Sequence, residues 1–142
     1  MSVVVTALLR YAINLLTFEC SKIKGDVMFK WLFGAGGEIK TLSPGELQDR
    51  LRDQERPSVL VDVRESNEWA GGRIPGAVHA PLSRFEEAAA NLPKDKAMIF
   101  YCASGMRSKT ALRRAKDMGF DAEAHLGGGL SNWARHDFPV QR

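Results

Sequence analysis

Apolar residues fall along this chain in short continuous runs, and these alternate with stretches whose apolar positions recur three and four apart. Ser58–Val63 and Ala97–Tyr101 are runs of the first kind. Each is short, bounded by polar residues and rich in bulky apolar side chains, which predicts a buried strand. Ala122–Leu126 is a further strand, and Ile39–Leu42 and Ala77–Ala80 are brief ones. From Ser108 to Met118 the period changes. Ala111, Leu112, Ala115 and Met118 share one helical face, while Arg113, Arg114 and Lys116 fall elsewhere. Gly119 is a stop signal there, with Phe120 placed to pack back on the last turn. Ser43-Pro44-Gly45-Glu46 predicts a helix start, with a serine cap, proline at the first position and glutamate three after the cap, and that helix runs to about Arg52. Ser66 caps a short helix through Ala70, Ser83 opens another through Glu86 and Glu87 to about Asn91, and a last helix spans Leu130 to Arg135.

Strands that alternate with helices in this way predict an α/β layer fold with a mostly parallel central sheet flanked by helices. Ligands of such sheets bind at the carboxyl ends of strands. Cys102 falls at one of those ends, in Tyr101-Cys102-Ala103-Ser104-Gly105-Met106-Arg107-Ser108.

That loop has the makings of a reactive thiolate beside an anion cradle. N–H groups at a helix start are unpaired and the helix dipole adds positive potential, so the place favours an anion. The thiolate is the nucleophilic form of cysteine, and such surroundings lower its pKa. Gly105 allows backbone angles that a side chain would forbid, so that successive N–H groups converge as a nest. Arg107 adds a fixed charge able to grip an oxyanion bidentately. Ser108 is read as a helix cap or as a hydroxyl donor to bound sulfur or oxyanion. A lone cysteine at a strand end is more often an inert core residue. The glycine, arginine and serine that follow reverse that expectation.

The loop Cys102-Ala103-Ser104-Gly105-Met106-Arg107 resembles the active-site loop of single-domain rhodaneses, the thiosulfate-type sulfurtransferases. The stretch Val61-Asp62-Val63-Arg64-Glu65 through Glu68-Trp69, Gly72-Arg73-Ile74-Pro75-Gly76 and His79 is similar to a flanking signature of that family. So is Gly127-Gly128-Gly129 through Trp133, Phe138 and Pro139. Together these cover about Ile39 to Val140. Arg73 departs from the family, which most often has histidine there. The resemblance implies a rhodanese-like three-layer fold and a Cys102 persulfide that carries sulfur from a donor such as thiosulfate to cyanide in an assay or to a cellular thiol. It places Ala103, Ser104, Gly105, Met106, Arg107 and Ser108 around the sulfur and implies no cofactor. Asp62 and Arg64, at the end of their strand, either orient the loop or form an ion pair that pins the strand. Trp133 is expected to close the core rather than bind substrate. Two other functions bear on the same loop. Phosphatases sharing this fold place five residues between cysteine and arginine. Here four intervene, a smaller cradle suited to sulfur rather than a phosphoryl group. A non-catalytic binding module, or a sulfur-carrier or regulatory module with its cysteine intact, is the remaining alternative.

The 142 residues, 44% hydrophobic and 26% charged, fit one soluble domain. A net charge of +3 without a concentrated basic face points away from nucleic acid. Cys20 and Cys102 form no disulfide framework, and the three histidines have no ligand spacing, so no metal is expected. The expected partners are a small sulfur donor and a thiol acceptor, and the domain at 38–142 is expected to act as a monomer in a reducing cytoplasm. Residues 1–37 read as an N-terminal extension. Its apolar stretch Val3–Leu16 is broken by Arg10 and Asn14 and is too short for a confident membrane span. It reads equally as an amphipathic helix making peripheral membrane or partner contact through residues 3–18, or as an upstream extension before a working start at Met28-Phe29-Lys30-Trp31-Leu32-Phe33. The glycine-rich 34–37 is a linker.

Overall fold

The computed structural model of the chain describes residues 38–142. The expectations about residues 3–18, Cys20, 28–33 and the linker at 34–37 lie outside the described residues.

Five parallel strands form one sheet: β1 (Thr41–Leu42), β2 (Ser58–Asp62), β3 (Val78–His79), β4 (Ala97–Tyr101) and β5 (Ala122–Leu126), in the order β1-β5-β4-β2-β3. The helices are α1 (Pro44–Arg52), α2 (Ser66–Ala70), α3 (Phe85–Ala89, after a single 3₁₀ turn at Leu82–Arg84), α4 (Met106–Asp117) and α5 (Gly129–Arg135). This is the expected α/β architecture.

Alternation along β4 divides the core into two layers. Met98, Phe100 and Cys102 face Ala111, Leu112 and Ala115 of α4 and Phe85 and Ala89 of α3. Ile99 and Tyr101 face the opposite way, toward Leu47 of α1 and Trp133 of α5. Every side chain of β4 from Met98 onward is fully buried, as a central parallel strand requires. Beside it, the ladder to β5 slips. Met98 pairs with Ala122 but Ile99 pairs with Ala124, a bulge that leaves Glu123 without a partner. Ala122 therefore packs in the α4 layer and Ala124 in the other. A bulge of this kind re-aims every side chain that follows, and here it turns His125 toward α4.

Local signals behave as their chemistry demands. The Ser43 hydroxyl accepts from the Glu46 N–H at 3.3 Å, and the Ser43 N–H donates to Glu46 Oε2 at 2.8 Å, a reciprocal cap for α1. At the far end of α4, the Phe120 N–H donates to the Ala115 carbonyl and the Gly119 N–H to that of Lys116, both at 3.0 Å. Trp133 is buried against Phe138 and donates its indole N–H to the Pro139 carbonyl at 2.9 Å, so it closes the core.

Three boundary readings are corrected. Helix α4 begins at Met106 rather than Ser108, capped by Gly105, so the loop after β4 is four residues long. Helix α2 is preceded by Glu65 as its cap, with Ser66 already in the first turn. Met118 lies beyond α4 as its C-cap and is 37% exposed, because the glycine turn ends the helix before Met118 can reach the apolar face.

Candidate active site

The loop from Cys102 to Gly105 leaves the carboxyl end of β4 and turns at once into α4. Gly105 makes that turn possible. It has φ +101°, a left-handed conformation that side chains rarely adopt, and its N–H points back to the Cys102 sulfur at 3.0 Å. Cys102 has no exposed surface. Burial pushes its thiol pKa up, but the backbone N–H groups of Ser108, Gly105 and Ser104 and the Ser108 hydroxyl outweigh that, and the thiol titrates below its usual value. The loop thus forms a nest of donors closed around one sulfur atom.

A second element grips the loop from behind. The Leu130 N–H donates to the Cys102 carbonyl at 2.8 Å, and the Ser131 N–H to the Ala103 carbonyl at 3.1 Å. These are first-turn N–H groups of α5, free to bond outward. The approach is close enough to need glycine: Gly129 has φ +57°, and a Cβ on it would stand 2.2 Å from the Cys102 carbonyl oxygen.

Arg107 does not present an open fork. Its Nη1 and Nη2 donate to Glu68 Oε2 and Oε1 at 2.6 and 2.8 Å, so the bidentate grip expected for an oxyanion is made on a carboxylate of α2. The Glu65 N–H also donates to Glu68 Oε2, at 3.1 Å. The Arg107 hydrogen bonds hold the Glu68 carboxyl down at about 2, well below its usual range. Ser108, the third residue of α4, is buried; its hydroxyl donates to the Gly105 carbonyl at 3.0 Å and lies 3.8 Å from the Cys102 sulfur. Met106, by contrast, is 71% exposed.

Asp62 and Arg64 form the strand-pinning pair. Arg64 Nη2 donates to Asp62 Oδ2 at 2.6 Å and to the Gly72 carbonyl at 2.6 Å, and Nη1 donates to the Glu68 carbonyl at 3.2 Å. Both side chains are buried. The pair touches the Cys102 loop at one remove on two sides: through the helix that carries Glu68, and through Tyr101, which pairs with Asp62 in the sheet and lies with its ring centre 5.7 Å from the Arg64 guanidinium. Arg73 does not face the cysteine cradle: its guanidinium lies 4.8 Å above the Trp69 ring, which in turn stacks on His79 at 4.8 Å.

Sequence reasoning missed two of these contacts. The Glu68–Arg107 fork joins residues on different helices, and nothing in the local pattern of either announces it. The other joins His125 Nδ1 to Ser108 Oγ at 3.1 Å. β5 reads Ala122-Glu123-Ala124-His125-Leu126, and simple alternation puts His125 on the same face as the charged Glu123, so only the bulge, which has no local signal, turns it toward α4. A groove of about 340 Å³ opens beside β3 and α3, lined in part by Val78, His79, Arg84 and Glu87. No residue of 102–108 lines it, so cavity size does not mark the cysteine cradle. Among the described residues, no group of three or more His, Cys, Asp or Glu side chains is arranged to hold a metal, and no helix is long and apolar enough to cross a membrane.

A parallel α/β sheet with a cysteine at the carboxyl end of its central strand, enclosed by a four-residue turn into a helix, defines a class of thiolate-loop domains. Within that class the chain belongs to the rhodanese-like family, whose domain model matches residues 43–136. It is 34% identical over 102 residues to a sulfurtransferase of Allochromatium vinosum, covering 72% of this chain and 94% of that protein. It is 41% identical over 101 residues to the probable adenylyltransferase/sulfurtransferase MoeZ of Mycobacterium tuberculosis, covering 70% of this chain but only 26% of MoeZ. The chain thus matches only about a quarter of that larger relative. Among solved structures it is similar to a Rhodopseudomonas palustris protein of unknown function described as a possible tyrosine phosphatase. There the TM-score is 0.65 at 30% identity, covering 75% of this chain and 88% of that one.

Proposed function

We propose that the protein is a sulfurtransferase that carries sulfane sulfur on Cys102. The observation that carries this reading is the closed nest around one sulfur, with the Gly105 N–H at 3.0 Å and a thiol pKa lowered against the effect of burial. The sulfurtransferase names of relatives such as the Allochromatium protein support the same reading.

With thiosulfate as donor, the Cys102 thiolate attacks the outer sulfur. A sulfur–sulfur bond forms to Cys102, the sulfur–sulfur bond of thiosulfate breaks, and its electron pair leaves with sulfite. The product is a cysteine persulfide whose negative charge rests on the terminal sulfur. An acceptor thiolate, or cyanide in an assay, then attacks that sulfur and releases the Cys102 thiolate. This is covalent catalysis in two steps, so ping-pong kinetics follow. The converging N–H groups stabilise the thiolate and its persulfide, as an oxyanion hole stabilises oxygen. Arg107 is spoken for by Glu68, so in this reading it holds the loop to α2.

Phosphate-ester hydrolysis is the competing reaction for a thiolate loop of this fold. Four residues between Cys102 and Arg107 leave a small cradle around whatever stays bonded to Cys102. A single sulfur atom asks far less of that loop than a phosphoryl group with its oxygens.

The test is mass spectrometry after incubation with thiosulfate. One added sulfur atom is expected, located on Cys102 by peptide mapping. Cys102→Ser should lose both that mass and thiocyanate formation from cyanide. Turnover of an aryl phosphate with no gain of mass would reverse the assignment.

A further inference from the structure

His125 is a buried titratable side chain beside the cradle that the proposed mechanism leaves unused. It is 1% exposed and sits on β5 just past the bulge, at a position that pairs with Phe100 of β4. Both ring nitrogens have partners. Nε2 lies 3.0 Å from Thr41 Oγ1 on β1, and Nδ1 lies 3.1 Å from Ser108 Oγ on α4. Ser108 Oγ is in turn 3.8 Å from the Cys102 sulfur. A line of three side chains therefore runs from the edge of the sheet to the nucleophile.

Counting protons gives the line a direction. A serine hydroxyl has one proton and two lone pairs. Three acceptors compete for that proton: the Gly105 carbonyl at 3.0 Å, His125 Nδ1 at 3.1 Å, and the sulfur. If Nδ1 is unprotonated, it draws the hydroxyl proton away from Cys102. If Nδ1 carries hydrogen, it donates to Ser108 Oγ, and the serine proton is free to turn from the Gly105 carbonyl to an anionic sulfur. The Thr41 hydroxyl is able to donate to Nε2 or to accept from it; the donating arrangement goes with the second tautomer, and it is the one assigned here. Burial and the charge of Lys109 on α4 push the imidazole pKa down, against a smaller upward pull from the Leu126 carbonyl, so the ring stays neutral near pH 7. Hydrogen bonds arranged in such a chain polarise one another.

We infer that His125 is a positioning residue that, anchored by Thr41, aims the Ser108 hydroxyl at the Cys102 sulfur. The inference rests on the reading of Cys102 as the sulfur-bearing residue. Two charged groups of α4 act on the line, Lys109 on His125 and Arg107 on Cys102, while Lys40 and Glu123 beside its outer end pair with each other at 3.0 Å. Arg107 is neutralised by Glu68, and Lys109 opposes any positive charge on His125.

The experiment is a pH titration of thiolate ultraviolet absorbance in the full chain, with Cys102→Ser as the blank. It needs neither substrate nor access to the sulfur. His125→Leu removes both ring contacts, His125→Gln keeps a group toward Thr41, and His125→Asn keeps a donor toward Ser108. The Leu and Gln variants should raise the Cys102 midpoint by about half to one unit, a three- to tenfold loss of thiolate at a fixed pH below it. The Asn variant should restore most of the wild-type midpoint. In a Ser108→Ala background, His125→Leu should move it no further. Thr41→Val, at an exposed position on a short edge strand, should shift it in the same direction by less, and it supplies the test if the core variants fold poorly. An unchanged midpoint in the folded variants, or a full shift in the Ser108→Ala background, would overturn the inference. Sulfur uptake from thiosulfate is measured separately. If wild type takes up none while the titration shifts appear, the sulfurtransferase reading fails and the His125 arrangement stands.

Discussion

Replacing Gly129 by alanine tests whether α5 holds Cys102 in place. The new Cβ would lie 2.2 Å from the Cys102 carbonyl oxygen and 2.6 Å from the Ala103 carbonyl carbon and oxygen, where ordinary contact starts near 3.4 Å. All three neighbours are backbone atoms of the cradle, so no side chain can swing aside. Either the loop or the first turn of α5 must shift by about 1 Å. That shift breaks or stretches the Leu130 and Ser131 hydrogen bonds to the loop, each worth about 1 kcal/mol. Alanine at φ +57° adds about 1 kcal/mol of backbone strain. The expected loss is about 3 kcal/mol, which lowers the thermal midpoint by roughly 10 °C. On the proposal that Cys102 carries the sulfur, a displacement of about 1 Å should also slow sulfur uptake by about 100-fold in the fraction that remains folded. Urea titration gives the first quantity and single-turnover persulfide formation the second. Gly45→Ala is the control, since a Cβ there meets nothing within 4 Å and the position is helical. If Gly129→Ala melts and reacts like wild type, α5 does not set the position of Cys102.

Two more outcomes are expected. Glu68→Gln breaks a charged fork whose side chains are about one-third exposed, which costs about 1 kcal/mol after screening, and it frees Arg107; turnover should fall about tenfold while KM for thiosulfate does not rise, and a raised KM with normal kcat would instead show that Glu68 helps to bind the donor. Arg50 and Arg107 hold Glu123 and Glu68 at about 2, so the stability these carboxylates contribute is complete above their ordinary 4.5 and drains away as pH falls from 4.5 toward 2; urea midpoints across that window should drop, and Glu123→Gln should remove part of the slope, up to about 3 kcal/mol, whereas parallel profiles for wild type and variant would refute the account.

Most of the fold was legible because the signals that build it are local. The run Ala97–Tyr101 has no polar side chain, the helix after it has a clear apolar stripe, and Ser43-Pro44-Gly45-Glu46 spells out its own cap. Two of the misread boundaries lie where a serine looked like a cap but the neighbouring backbone had other work. Gly105 caps α4 because the chain must fold back over the sulfur there, which puts Ser108 into the first turn, facing inward. The cysteine cradle was legible for the same reason: its donors come from a few consecutive residues. What holds the cradle was not. Glu68 meets Arg107 across 39 positions of sequence, and Gly129 meets the Cys102 carbonyl through the return of α5. A glycine run predicts a turn, but it does not say which backbone will press against it.

The bulge in β5 acts as a change of parity. Before it, the α4 layer receives Ala122, and an unbroken ladder would go on to deliver Ala124 to the same layer. After it, odd and even positions exchange roles, and the layer that holds Cys102 receives a histidine instead of an alanine. The strand thus serves the core with one frame and the site with the other, and the unpartnered Glu123 marks the changeover. A redesign of β5 that kept its composition but straightened its ladder would deliver Ala124 in place of His125 behind Ser108. What this strand contributes to chemistry is therefore written in its register with β4 as much as in its residues.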